Sequence, residues 1–155
     1  MIQRIQTVYL CIVAGLFLAL FFLPFALMQS GEALYSFQVA GLFTTTASPE
    51  LVYPTWALMI IAAIIVLLSF LCIFMYKKRI LQMRMCVYNI LLMIGFCVLA
   101  AFFISQINES PDFPNLKINF RIAASFPFIA MILSYLAIRN IGADEALVRS
   151  LERLR

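Results

Sequence analysis

Apolar residues occupy this chain in four long blocks separated by polar segments, and the lengths of the blocks predict its elements before any single residue is weighed. The first block, residues 8–27, runs for about 20 residues, the length an α-helix needs to cross the hydrocarbon core of a bilayer. It is too long for a signal-peptide core, and Ala26-Leu27-Met28 offers no small-x-small cleavage site. Equivalent blocks over residues 56–75, 85–104 and 122–138 predict three more spans. The expected fold class is therefore an all-α membrane protein, a four-transmembrane-helix bundle forming one domain over residues 1–155.

Between the blocks the period changes. Residues 33–40 are rich in strand formers and place Tyr35, Phe37 and Val39 opposite Ser36 and Gln38, the two-residue alternation of a half-buried strand. A second short strand is available over residues 42–46, followed by a turn at Ser48-Pro49-Glu50. Residues 116–121 alternate more cleanly, with Leu116, Ile118, Phe120 and Ile122 against Lys117, Asn119 and Arg121. A lone strand leaves its backbone unpaired, so segments 33–40 and 116–121 are expected to pair in a small extracytoplasmic β-sheet; an irregular loop into the fourth span is the alternative. Pro127 falls inside that fourth span. After it, Gly142 is expected to end the helix, with Asp144 capping a separate helix over residues 143–155. Leu147, Val148, Leu151 and Leu154 share one face of that tail, which makes it an amphipathic cytoplasmic helix.

Composition sharpens this picture. With 65% hydrophobic and 12% charged residues, the chain lies far below the charge content of soluble domains, which is roughly a quarter. Its net charge of +4 comes from basic residues beside apolar blocks, which argues for topology signals and against a nucleic-acid partner. Counted by side, Arg4, Lys77, Lys78, Arg79, Arg84, Arg139, Arg149, Arg153 and Arg155 fall on one face of the membrane, and Lys117 and Arg121 on the other. Under the positive-inside rule both termini are then cytoplasmic.

Candidate chemistry is sparse. The chain has no histidine, and no Asp, Glu, Lys or Arg lies inside a predicted span, which removes the usual general base and the usual proton relay. Cys11, Cys72, Cys86 and Cys97 all sit in apolar blocks without a C-x-x-C pair, so they are expected to be packed thiols and not a disulfide framework. Met83, Met85 and Cys86 are soft donors close in sequence, but helical spacing points them to different faces, and they too are assigned to packing. Asn89, one turn inside the third span, is expected to hydrogen-bond across the bundle or to face the water beside the basic segment 76–84. Without a nucleophile and base, a phosphate loop or paired carboxylates, no enzyme, cofactor or metal is expected.

The opening segment Met1-Ile2-Gln3-Arg4-Ile5-Gln6-Thr7-Val8-Tyr9-Leu10 and the closing segment Asp144-Glu145-Ala146-Leu147-Val148-Arg149-Ser150-Leu151-Glu152-Arg153-Leu154-Arg155, with four spans between them, resemble a family of small Bacteroidetes-type inner-membrane proteins known only as a domain of unknown function. The resemblance runs the full length and implies a bacterial inner membrane, but it brings no functional residues.

Two functional expectations follow. The first is a non-enzymatic scaffold or accessory subunit that docks a larger membrane complex, or membrane lipids, through Lys77, Lys78, Arg79, Arg84, Leu147, Val148, Arg149, Leu151, Arg153 and Arg155. The second is a binder or transporter of a lipid or other hydrophobic molecule, with an apolar cavity between bundle and sheet and Arg121 reading a headgroup.

Overall fold

A computed structural model describes residues 5–31, 33–46, 48–75, 79–111, 113 and 116–153, with the side chains of Arg79 and of residues 145–153 left out. Four helices, α1 (Ile5–Ala19), α2 (Trp56–Phe74), α3 (Arg79–Glu109) and α4 (Phe126–Arg153), carry most of these residues. Five strands, β1 (Ala26–Ser30), β2 (Ala33–Gln38), β3 (Gly41–Thr44), β4 (Leu51–Pro54) and β5 (Lys117–Phe120), form one antiparallel sheet in the order β4-β3-β2-β1-β5. The helices close a ring in which α1 touches α2 and α4, α2 touches α3, and α3 touches α4. Connectivity gathers the end of α1, the start of α2, the end of α3 and the start of α4 at the sheet. Among the described residues α2, α3 and α4 are long and apolar enough to cross a membrane, while α1 is a shorter apolar helix.

Hydrophobic asymmetry is weak on α2 and α3, whose membrane-length stretches are apolar on nearly every side. Their buried positions instead step by alternating fours and threes. On α2 they are Leu58, Ala62, Ile65, Ser69 and Cys72, and on α3 they include Gln82, Cys86, Asn89, Met93 and Phe96. This is the seam of left-handed, knobs-into-holes packing. The residues turned inward include small and polar ones, Ala62, Ser69 and Cys72 on α2 and Gln82, Cys86 and Asn89 on α3, while Phe17 on α1 and Phe96 on α3 bring large rings inward. Large apolar side chains such as Leu67, Phe74, Ile132 and Tyr135 are left outside, each at least 60% exposed.

Four expectations need correction. The first apolar block is not one helix: α1 stops at Ala19, the chain turns, and β1 begins at Ala26. Pro24 explains the change, since it lacks an amide hydrogen and disfavours helix for the residue before it. The strand over 33–40, here β2, does not pair with β5. It pairs with β1 through Ala26↔Phe37 and Met28↔Tyr35, and β1 then pairs with β5 through Ala26↔Phe120 and Met28↔Ile118. Gly142 does not end a helix, and Asp144 caps none, because α4 runs unbroken from Phe126 to Arg153. A mid-helix glycine costs only about 1 kcal/mol relative to alanine, which continuous packing offsets. Pro127 is likewise not deep in a span: it is the second residue of α4, in the first turn, where its missing N–H has no helical partner to lose.

Helix ends and sheet are tied by specific bonds. Thr55 precedes α2, but its hydroxyl does not cap the helix; it donates to the Val39 carbonyl at 3.0 Å and fastens α2 to the sheet. Phe25 extends the β1 ladder on both sides, its amide donating to Phe37 O and its carbonyl accepting from the Arg121 amide, both at 2.8 Å. At the turn into β3, Gly41 has φ +155°, and a Cβ there would lie 2.6 Å from the Tyr53 carbonyl oxygen. Only glycine lets β3 and β4 approach this closely.

Candidate functional site: an apolar groove beneath the sheet

The inner face of the sheet is apolar because its register places Ala26, Met28, Tyr35, Phe37, Ile118 and Phe120 on one side. Phe37 and Met28 are fully buried. Since α1 is short, the sheet reaches the middle of α3, where rings fill the space. Phe96 meets Phe17 at a centroid distance of 5.5 Å and Phe25 at 5.7 Å, and Phe25 meets Phe37 at 6.0 Å.

Aromatic filling is incomplete toward α3 and α4. A groove of about 510 Å³ remains between the outer half of α3, the β5 end of the sheet, and the start of α4. Its floor is Phe25, Phe37, Phe96 and Pro127. One wall is a strip of α3, with Cys97, Ala100, Ala101 and Ile104 giving way to Ser105 and Asn108 at one end. The small residues of this strip and Ala124 leave the room, and Phe120 and Phe128, 66% and 57% exposed, flank the mouth. No ionisable carboxylate, amine or guanidinium is among the lining side chains. A volume of this size falls in the range of small-molecule sites, roughly 300–1,000 Å³. A second cavity, about 320 Å³, lies at the far side of α3 between Tyr35, Tyr53, Gln106 and Phe113.

The other half of the bundle is built on polar pairs. The Asn89 amide donates to the Ser69 hydroxyl at 2.9 Å, and Ser69 donates to the Ile65 carbonyl at 2.8 Å, so Asn89 does bond across the bundle. Gln82 Nε2 donates to the Cys72 carbonyl at 2.9 Å, and Gln6 bonds to Asp144 between α1 and α4. Two buried acceptors, Gln82 Oε1 and Asn89 Oδ1, have no partner among the described protein atoms. The four cysteines are free thiols, and among the described residues no cluster of His, Cys, Asp or Glu could hold a metal. Cys72 and Cys86 are buried together with Leu10, Ala137 and Ile141, and Met83 and Met85 pack against that cluster.

The residues named for docking are only partly in view. Lys77, Lys78 and Arg155 lie outside the described residues, as do the side chains of Arg79, Leu147, Val148, Arg149, Leu151 and Arg153. Arg84 is the sixth residue of α3. Arg121 is exposed just after β5; its amide serves the sheet, and it is not among the residues lining the groove. The groove residues carry no sequence motif, because alanine, phenylalanine and isoleucine look the same in a groove as in a packed core. The one available signal was the small-residue run Ala100-Ala101 beside Ser105 and Asn108 on one helical face.

Fold and site together define a predominantly helical protein with, among the described residues, three helices long and apolar enough to cross a membrane, a five-stranded sheet, and an open apolar groove between them. The chain belongs to the family described as Domain of unknown function (DUF4293), which it matches over residues 2–154. No curated protein and no solved structure matches it.

Proposed function

We propose that this is a multi-pass protein of a bacterial inner membrane that binds one hydrophobic molecule, a lipid chain, in the groove beneath the sheet. The observation that carries the reading is the groove itself: about 510 Å³ of apolar space, walled by small residues and flanked by exposed phenylalanines. A soluble protein could not sustain outward Leu67, Phe74, Ile132 and Tyr135, whereas a bilayer solvates them. In that setting α1 and the turn that follows it make a fourth crossing beside α2 and α4. The mouth between Phe120 and Phe128 then opens sideways to the acyl chains from which a ligand enters. Lateral entry needs no charged pathway, in keeping with a groove whose lining has no carboxylate, amine or guanidinium.

The docking role through Lys77, Lys78, Arg79, Arg84 and the residues of the α4 end is compatible with this placement, with both termini in the cytoplasm. Its support is the charge asymmetry of the chain.

A Phe128→Trp substitution in a Trp56→Phe background puts the sole indole at the groove mouth. Brominated hexadecanol added to the protein in nanodiscs should quench it to a plateau, and unbrominated hexadecanol should restore the signal. Quenching that rises in proportion to the bromine content of the membrane, with no plateau, would contradict a binding site.

A further inference from the structure

Resting on the reading of the groove as a lipid site, we infer that its ligand is a lipid with an uncharged hydroxyl head, held by Ser105 and Asn108. From Phe96 to Asn108 the groove follows twelve residues of α3, about 18 Å at 1.5 Å per residue, a path along which an extended hydrocarbon chain can lie.

Polarity sets the direction. Ser105 and Asn108 are three residues apart and so lie on one face of α3 at the sheet end of the groove, while the opposite end closes on Phe96. The chain therefore points toward the middle of the bundle, with its head at Ser105 and Asn108.

Hydrogen-bond bookkeeping sets the head. The Ser105 hydroxyl spends its proton on the Phe102 carbonyl at 2.9 Å, so toward the groove it offers only lone pairs. A ligand meeting it must donate. The Asn108 amide, exposed at the same end, can donate in return. A hydroxyl head satisfies both, giving its proton to Ser105 Oγ and accepting from Asn108 Nδ2. A carboxylate has no proton for Ser105 and meets no cation among the lining side chains; Lys117 and Arg121, the chain neighbours of Ile118 and Phe120, are not part of that lining. A quaternary ammonium neither donates nor accepts.

The test uses the full chain in nanodiscs at alkaline pH with three photoactivatable probes that share one diazirine-bearing hexadecyl chain and differ in the head: alcohol, carboxylate and trimethylammonium. Adducts are mapped by peptide mass at equal membrane mole fraction. We expect the alcohol to label the Cys97–Ser105 segment about ten-fold more than either charged probe, a margin that one desolvated charge readily provides. Combined Ser105→Ala and Asn108→Leu substitutions, both at exposed positions, should bring the three yields within about two-fold. Ala101→Trp should remove labelling by all three. Equal labelling by the three heads in the unmodified protein, still removed by Ala101→Trp, would overturn the hydroxyl-head inference and leave the groove as a lipid site. Labelling that Ala101→Trp does not change would overturn the groove reading itself.

Discussion

The two halves of the helix bundle solve the same packing problem with different chemistry. At the sheet end, interior space is filled by large rings, Phe17, Phe25, Phe37 and Phe96, with centroids 5.5 to 6.0 Å apart. At the other end the interior is lined by Ser69, Cys72, Gln82, Cys86, Asn89 and Ala137, and the contacts are hydrogen bonds between neighbouring helices. When every face of a helix is apolar and the surroundings are lipid, burial of apolar area no longer decides which face turns inward. In the lower half small residues and hydrogen-bonded polar side chains line the interior. In the sheet half, the shape of bulky rings decides it, and rings meeting a strip of alanine on α3 leave a groove. The ligand site we propose lies in the half that holds this groove.

Substitutions can break or sharpen that contrast. The largest effect is expected at Phe96, the ring shared by α1, the sheet and the groove floor. Phe96→Ala should lower stability in detergent by about 3–5 kcal/mol, seen as an earlier thermal transition. A loss below about 1 kcal/mol would show that the rings do not hold the sheet end together. In the other half a smaller loss is expected. Ser69→Ala leaves the Asn89 amide without its acceptor and should cost about 1 kcal/mol by the same measurement, without altering ligand binding. An effect on binding as large as that of a groove substitution would erase the distinction between the halves. The smallest effect has the opposite sign. Gly142→Ala places a methyl 3.8 Å from the Met83 Cε, an ordinary contact, within a continuous helix. It should stabilise by about 0.5–1 kcal/mol. Destabilisation would point instead to a helix break at Gly142.

How far the sequence can be read follows from the same physics. The second span, expected over 56–75, is α2 at Trp56–Phe74, because its aromatic entry and the basic corner mark both ends. The alternating segments 33–40 and 116–121 are β2 and β5, because a period of two has no helical reading. Strand β1 was hidden inside an apolar block. A buried strand and a stretch of helix look alike there, and Pro24 is the only mark of the boundary. With β1 unseen, β5 had no correct partner, and β4 at Leu51–Pro54 was missed beside its turn. The groove was illegible for a different reason: it is defined by absent volume, and no residue type signals a gap between elements that meet only in the fold.

The most direct test of the central claim is the mass of the intact chain released gently from its native membrane. Native mass spectrometry should find the protein carrying one apolar molecule, and Ala101→Trp, which fills the groove, should emerge without it while folding and inserting normally. Equal retention of that molecule by both proteins, or a folded native protein that carries none, would contradict the account.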